Sequence, residues 1–248
     1  MTYQRLIIAY LLVFVLAQAL FAAFPGIDLA VSRHFAAEGG GFDWATGLAP
    51  KINLAVRRLG EAVTALLVLA YVFGLFYARV RGDDLRLLAY PAICVALACG
   101  GIVNLLLKTH VGRARPDSLA EFGGLAEFTP AWQVAQECGR NCSFTSGEVA
   151  MAASLAFPAL AILWPHLKGT GARLGAVGIV AAYIALTALL RIGLGRHYLS
   201  DAVFSVLFAA GVALVLYPVL RIDAARRHLP VLSAQRSLAI PGERRGVH

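Results

Sequence analysis

The sequence predicts an all-α protein folded as a six-helix transmembrane bundle, and three observations carry that expectation. Hydrophobic residues fill 59% of the 248 positions and charged residues only 15%, against roughly 25% charged in a soluble domain. Mean hydropathy is +0.72, too apolar for one soluble core, since a folded globule still needs a wettable surface. The apolar residues also fall in runs close to the ~20 residues a helix needs to cross a bilayer core, without the period-two alternation of barrel strands.

In chain order the runs are Leu6–Phe24, Ala62–Tyr77, Leu87–Leu107, Val149–Trp164, Leu174–Leu190 and Ala202–Leu220. The first, with Arg5 before it and Ala17-Gln18-Ala19 inside it, has the parts of a signal peptide, but it continues to Phe24 and reads as an uncleaved helix. Pro25 to Gly60 reads as an outer loop with Asp28, His34, Gly39-Gly40-Gly41 and Trp44, and nothing in it specifies a ligand. The second and fourth runs are the shortest. No repeat interrupts the chain. Residues 1–225 are expected to form one membrane domain, followed by a basic cytoplasmic tail over 226–248.

The net charge of +8 does not point to nucleic acid, because the basic residues lie between apolar runs rather than in one stripe. A membrane carrying anionic or phosphorylated lipids is the better partner. Placing both termini in the cytoplasm puts twelve basic residues there: Arg5, Arg79, Arg81, Arg86, Lys168, Arg173, Arg221, Arg226, Arg227, Arg236, Arg244 and Arg245. Ten remain opposite, of which five sit in the polar clusters described next. The bias sets the termini inside and the clusters on the periplasmic side of a bacterial inner membrane.

Three polar clusters lie at the outer ends of helices three to six. They are Lys108-Thr109-His110-Val111-Gly112-Arg113-Ala114-Arg115-Pro116, then Ser143-Phe144-Thr145-Ser146-Gly147-Glu148, then Arg191 through His197 to Asp201. Lys108, Arg115 and Arg191 are cations suited to phosphate oxygens, the arginines as bidentate forks. Ser146-Gly147 opens a helix, whose N-terminal N–H groups favour an anion. If the segment is helical, His197 and Asp201 share a face and the carboxylate fixes the imidazole tautomer. Taken singly, Arg113 and Arg196 read as interfacial anchors and Asp201 as a helix-start charge. Together the set is hard to dismiss, since ionisable residues at membrane depth are costly unless used.

The order and spacing resemble the type 2 phosphatidic acid phosphatase family. Lys108, six residues, then Arg115-Pro116 fits its first motif; Arg191, His197 and Asp201 fit its third, with Leu190 in place of a serine. Its second motif, Pro-Ser-Gly-His, is matched only at Ser146-Gly147, and Glu148 stands where the histidine would be. The resemblance implies a six-helix membrane core with an outer-face site. It also implies attack by His197 on phosphorus, orientation by Asp201, and phosphate held by Lys108, Arg115, Ser146, Gly147 and Arg191. Fixed cations would replace a metal, and no cofactor is implied. Glu148 would be the acid that protonates the leaving oxygen, provided burial outweighs the nearby cations; His110 is the substitute.

Cys94 and Cys99 read as packing residues within helix three. Cys138 and Cys142 flank Gly139-Arg140-Asn141 and are expected to bridge on an oxidising face, tethering Ser146-Gly147. The second cluster, with these cysteines just upstream, resembles the lipid A phosphatase branch. Arg113, Arg140 and Arg196 would suit a bulky substrate bearing more than one phosphate. Phosphatidic acid, phosphatidylglycerol phosphate and undecaprenyl or other isoprenoid diphosphates stay open as substrates. A lipid phosphotransferase and a non-catalytic transporter stay open as functions, and protein partners are not legible.

Overall fold

The computed structural model describes residues 2–77 and 82–228. Arg79, Arg81 and the expected tail from residue 229, with Arg236, Arg244 and Arg245, lie outside the described residues. Among those described, the regular elements are helical and β structure is limited to two isolated bridges, Ala36 with Phe42 and Leu119 with Ala126.

Six helices are long and apolar enough to cross a membrane: α1 (Tyr3–Ala23), α3 (Ala49–Phe76), α4 (Gly82–His110), α5 (Gly147–His166), α6 (Gly169–Gly193) and α7 (Leu199–Val219). A short α2 (Gly26–Arg33) follows α1. The spans alternate in direction, which brings the starts of α3, α5 and α7 and the ends of α4 and α6 to one end of the bundle. All three polar clusters are therefore neighbours.

The largest boundary correction concerns α3, which begins thirteen residues before the expected Ala62, at Ala49. The apolar run did not reveal this turn because Lys51, Arg57, Arg58 and Glu61 interrupt it. Its helicity rests instead on Pro50 in the first turn and on Arg57 Nε donating to Glu61 Oε1 at 2.7 Å, one turn on. At 28 residues, α3 is about 42 Å long at 1.5 Å per residue, beyond a hydrocarbon core of about 30 Å. The excess of about 12 Å leaves room for its charged first turns outside the hydrocarbon. The second half of α4, Val95–Leu107, is wound as a π-helix and includes Gly100 and Gly101.

α5 packs extensively on both α4 and α7, and small residues including Ala153, Ala156, Ala202 and Ala209 allow the close approach typical of membrane helices. α1 docks on α7 through Phe14 and Phe21 against Phe204 and Phe208, so it belongs to the bundle. Outward-facing Leu12, Leu16, Leu66 and Phe73 are well exposed, as lipid-facing side chains are. At the other end Arg226 donates to Ala161 O at 2.6 Å and to Asp223 Oδ1 at 2.7 Å, so the expected tail starts as a turn packed on the bundle.

Candidate active site

His197 sits in the turn between α6 and α7, one residue before the cap of α7. Gly195 makes that turn: its φ is +67°, and a Cβ there would strike the Phe42 ring. The expected helical pairing is corrected in detail, since His197 precedes the helix and Asp201 occupies its first turn. The two meet through the cap: Asp201 Oδ2 accepts from Tyr198 N at 3.0 Å and lies 3.4 Å from His197 Nδ1. Nδ1 is closer still to Ser143 O, at 2.8 Å. Both neighbours are acceptors, so Nδ1 is assigned the proton and Nε2 the lone pair. Burial pushes the His197 pKa down to about 3, helped by Arg191 and Lys108 and opposed by Asp201.

The neutral imidazole has a consequence in pH. In the unfolded chain a histidine takes its proton near pH 6.5, whereas His197 does so only near 3. Its environment therefore imposes no penalty above about pH 6.5, and stability is lost progressively as pH falls from there towards 3. Histidine-labelled NMR, with the His197 signal assigned by His197→Asn, should show a neutral Nδ1–H ring at pH 5. Titration near 6.5 would contradict this environment.

His197 lines a cavity of about 680 Å³ together with Lys108, Arg115, Gly147, Glu148 and Arg191. Lys108 is buried, and its Nζ donates to Asn141 Oδ1 at 3.2 Å. Arg115 Nη2 donates to the Asn141 carbonyl at 2.9 Å. Burial and then the neighbouring Arg196 lower the Arg115 pKa, a cost that a bound anion relieves. Arg191 Nη1 lies 3.2 Å from Glu148 Oε1, while its buried Nε has no hydrogen-bond partner among the described residues. Arg57 approaches the same Glu148 oxygen at 3.9 Å. The Asn53 amide satisfies both neighbours when its nitrogen faces Glu148 Oε2 at 3.1 Å and its oxygen faces Arg191 Nη1 at 3.3 Å. Among the described residues no three His, Cys, Asp or Glu side chains cluster as a metal site would need.

Behind His197 lies a buried ionic hub that the sequence did not announce. Arg113 is fully buried, not an interfacial anchor and not a substrate contact. Its guanidinium donates to Asp201 Oδ1 (2.8 Å), Ser200 Oγ (2.9 Å), Asp28 Oδ2 (2.8 Å) and Thr129 O (2.8 Å), and it lies 3.9 Å from the Tyr198 ring centroid. Asp28 also accepts from Ser200 N at 2.8 Å. Burial raises the Asp28 pKa and Arg113 opposes that rise. Ser143 closes the set by donating Oγ to Asp201 Oδ2 at 2.5 Å. The expected loop residue Asp28 and the expected anchor Arg113 are thus the supports of Asp201.

Other candidates fall elsewhere. Ser146 is fully buried and caps α5, its Oγ accepting from Val149 N at 3.4 Å; Gly147 lines the cavity and Ser146 does not. His110 and Arg140 are exposed and off the cavity wall. Arg196 is at the wall but tied to Asp117 at 2.7 Å. Cys99, expected as packing, lines the cavity and donates to Gly147 O at 3.2 Å, whereas Cys94 is buried.

Cys138 and Cys142 are joined as a disulfide across a Cα separation of 5.6 Å. The loop it closes contains Asn141, held at φ +53°, so the bridge supports the residue that binds Lys108 and Arg115 rather than Ser146. Reduction should lower activity at unchanged protein level, and maleimide should label this peptide only after reductant. Prompt labelling of untreated protein, read by mass spectrometry, would refute the bridge.

The model of the PAP2 superfamily matches residues 89–223, which carry all three clusters. A lipid A 4′-phosphatase of Francisella tularensis subsp. novicida is 28% identical over 218 residues, covering 85% of this chain and 94% of that one. One of Rhizobium leguminosarum is 34% identical over 220 residues, covering 79% and 90% respectively. The crystal structure of a transmembrane PAP2-type phosphatidylglycerolphosphate phosphatase from Bacillus subtilis is similar at a TM-score of 0.49 and 19% identity, over 90% of this chain and 98% of that one. With more than half its length matched, this chain belongs to the PAP2 superfamily.

Proposed function

We propose that the protein is a membrane lipid phosphatase that works through a phosphohistidine at His197, with lipid A, at its 4′-phosphate, as substrate. The observation that carries the chemistry is the imidazole whose Nδ1 faces Ser143 O and Asp201 while its ring lines the cavity shared with three cations. Nε2 attacks phosphorus, a P–N bond forms, and the bond to the sugar oxygen breaks. Lys108, Arg115, Arg191 and the Gly147 amide meet the charge spread over the phosphoryl oxygens. Water then attacks phosphorus, the P–N bond breaks, and inorganic phosphate leaves with His197 restored. Glu148, which must enter the cycle protonated although Arg191 and Arg57 face it, gives a proton to the departing sugar oxygen and takes one back from the attacking water. No step calls for a metal, so activity should persist in chelator. The substrate choice is supported by the two relatives named as lipid A 4′-phosphatases. The loop charges support a site on the periplasmic face of the inner membrane.

Glu148→Gln should slow turnover about 10²-fold or more, less so for an aryl phosphate whose leaving group needs no proton. Glu148→His should keep more activity than Gln. A Gln variant as fast as the parent would move the acid elsewhere. The function itself is tested by phosphate release from pure lipid A, undecaprenyl diphosphate and phosphatidylglycerol phosphate. Lipid A should be fastest; a clear preference for the isoprenoid would overturn the substrate while leaving a phosphatase.

A further inference from the structure

We infer that the polar face of α3, formed by Asn53, Arg57 and Glu61, recognises the sugar ring that carries the phosphate. The inference rests on the phosphatase reading above and names a subsite of the same cavity. The three residues are spaced by four, so they share one helix face, and all three line the cavity. This wall runs along the first half of α3, beginning in its second turn. At about 680 Å³ the cavity falls in the range of about 300–1,000 Å³ that encloses whole drug-sized ligands, far more than a phosphoryl group fills.

The two walls differ in chemistry. Lys108, Arg115 and Arg191 offer only donors, as a phosphate requires. The α3 wall mixes them: Arg57 donates, Glu61 only accepts, and Asn53 does both. Apart from Glu148, which serves proton transfer, a carboxylate on the wall of an anion site only repels a bare phosphate. Sugar hydroxyls and the N–H of an amino sugar both donate and accept, and for them such a mixture is complementary. Glu61 is already organised, accepting from Arg57 Nε at 2.7 Å and from Arg58 Nη1 at 2.9 Å. Asn53 and Arg57 reach Glu148 and Arg191, so a ring seated on α3 sits beside the groups that treat its phosphate. A diacylglycerol phosphate presents no ring hydroxyls to this wall.

The test compares kcat/KM for lipid A and for phosphatidic acid in the same detergent, for the parent, Glu61→Ala, Glu61→Gln and Arg57→Ala. Melting temperature and gel-filtration elution monitor folding. Glu61 touches neither His197 nor Glu148, so Glu61→Ala should lower the lipid A to phosphatidic acid ratio at least about tenfold, mainly through KM. Glu61→Gln should lose less, because an amide still accepts. Arg57→Ala should slow both lipids and lower the ratio as well. A ratio unchanged in well-folded variants, or a parent with no preference for the sugar lipid, would overturn the inference and leave a phosphatase standing. A parent that releases phosphate from neither lipid would overturn the phosphatase reading, and this inference with it.

Discussion

His197→Ala is expected to lower phosphate release by about 10⁴-fold or more while the protein still inserts and elutes as the parent does. The reason is chemical: Nε2 forms the bond to phosphorus, and no other imidazole lines the cavity among the described residues. Asp201→Asn should retain more turnover than His197→Ala, because Asp201 orients and does not attack. It should also lower stability, since an amide replaces a carboxylate that Arg113, Ser143 and Tyr198 N all address. Rates and melting temperatures on both variants separate the two effects. Near-parental release by a folded His197→Ala variant would remove the nucleophile from the mechanism.

Arg113→Ala is expected to be strongly destabilising, costing about 3–5 kcal/mol, because it strands two buried carboxylates at once. Asp28 and Asp201 are each essentially unexposed and each receives a 2.8 Å bond from this one guanidinium. Asp28→Asn should cost less, since Arg113 keeps Asp201 and Ser200 can still bond the amide. Arg113→Lys should recover only part of the loss, because a point charge cannot fork between two acids. Thermal melting in detergent reads the order Arg113→Ala below Arg113→Lys below parent. An Arg113→Ala protein melting with the parent would show that the hub does not hold the site.

Much of the architecture was legible because a bilayer writes it plainly: uninterrupted apolar runs gave six spans, and motif spacing gave the residues that share the cavity. What was not legible depended on where side chains turn. Asp28 and Arg113 are 85 residues apart, and nothing local marks either as paired. The turn that aims Arg113 inward shows only in the structure, where Gly112 has φ +64° and a Cβ there would meet the Ala135 carbonyl. Charge hid the first turns of α3, and with them Asn53, Arg57 and Glu61. Ser146 was misplaced for a different reason: a serine at a helix start serves the helix as readily as a ligand, and spacing does not distinguish the two.

Rapid mixing of the purified protein with lipid A radiolabelled in its 4′-phosphate, quenched in alkali because phosphohistidine survives base and not acid, reads the reaction at its covalent step. Label should appear transiently on the peptide containing His197, vanish on mild acid treatment, and be absent from His197→Ala. Full turnover with no label on that peptide at any time, or label on a different residue, would contradict phosphoryl transfer through His197.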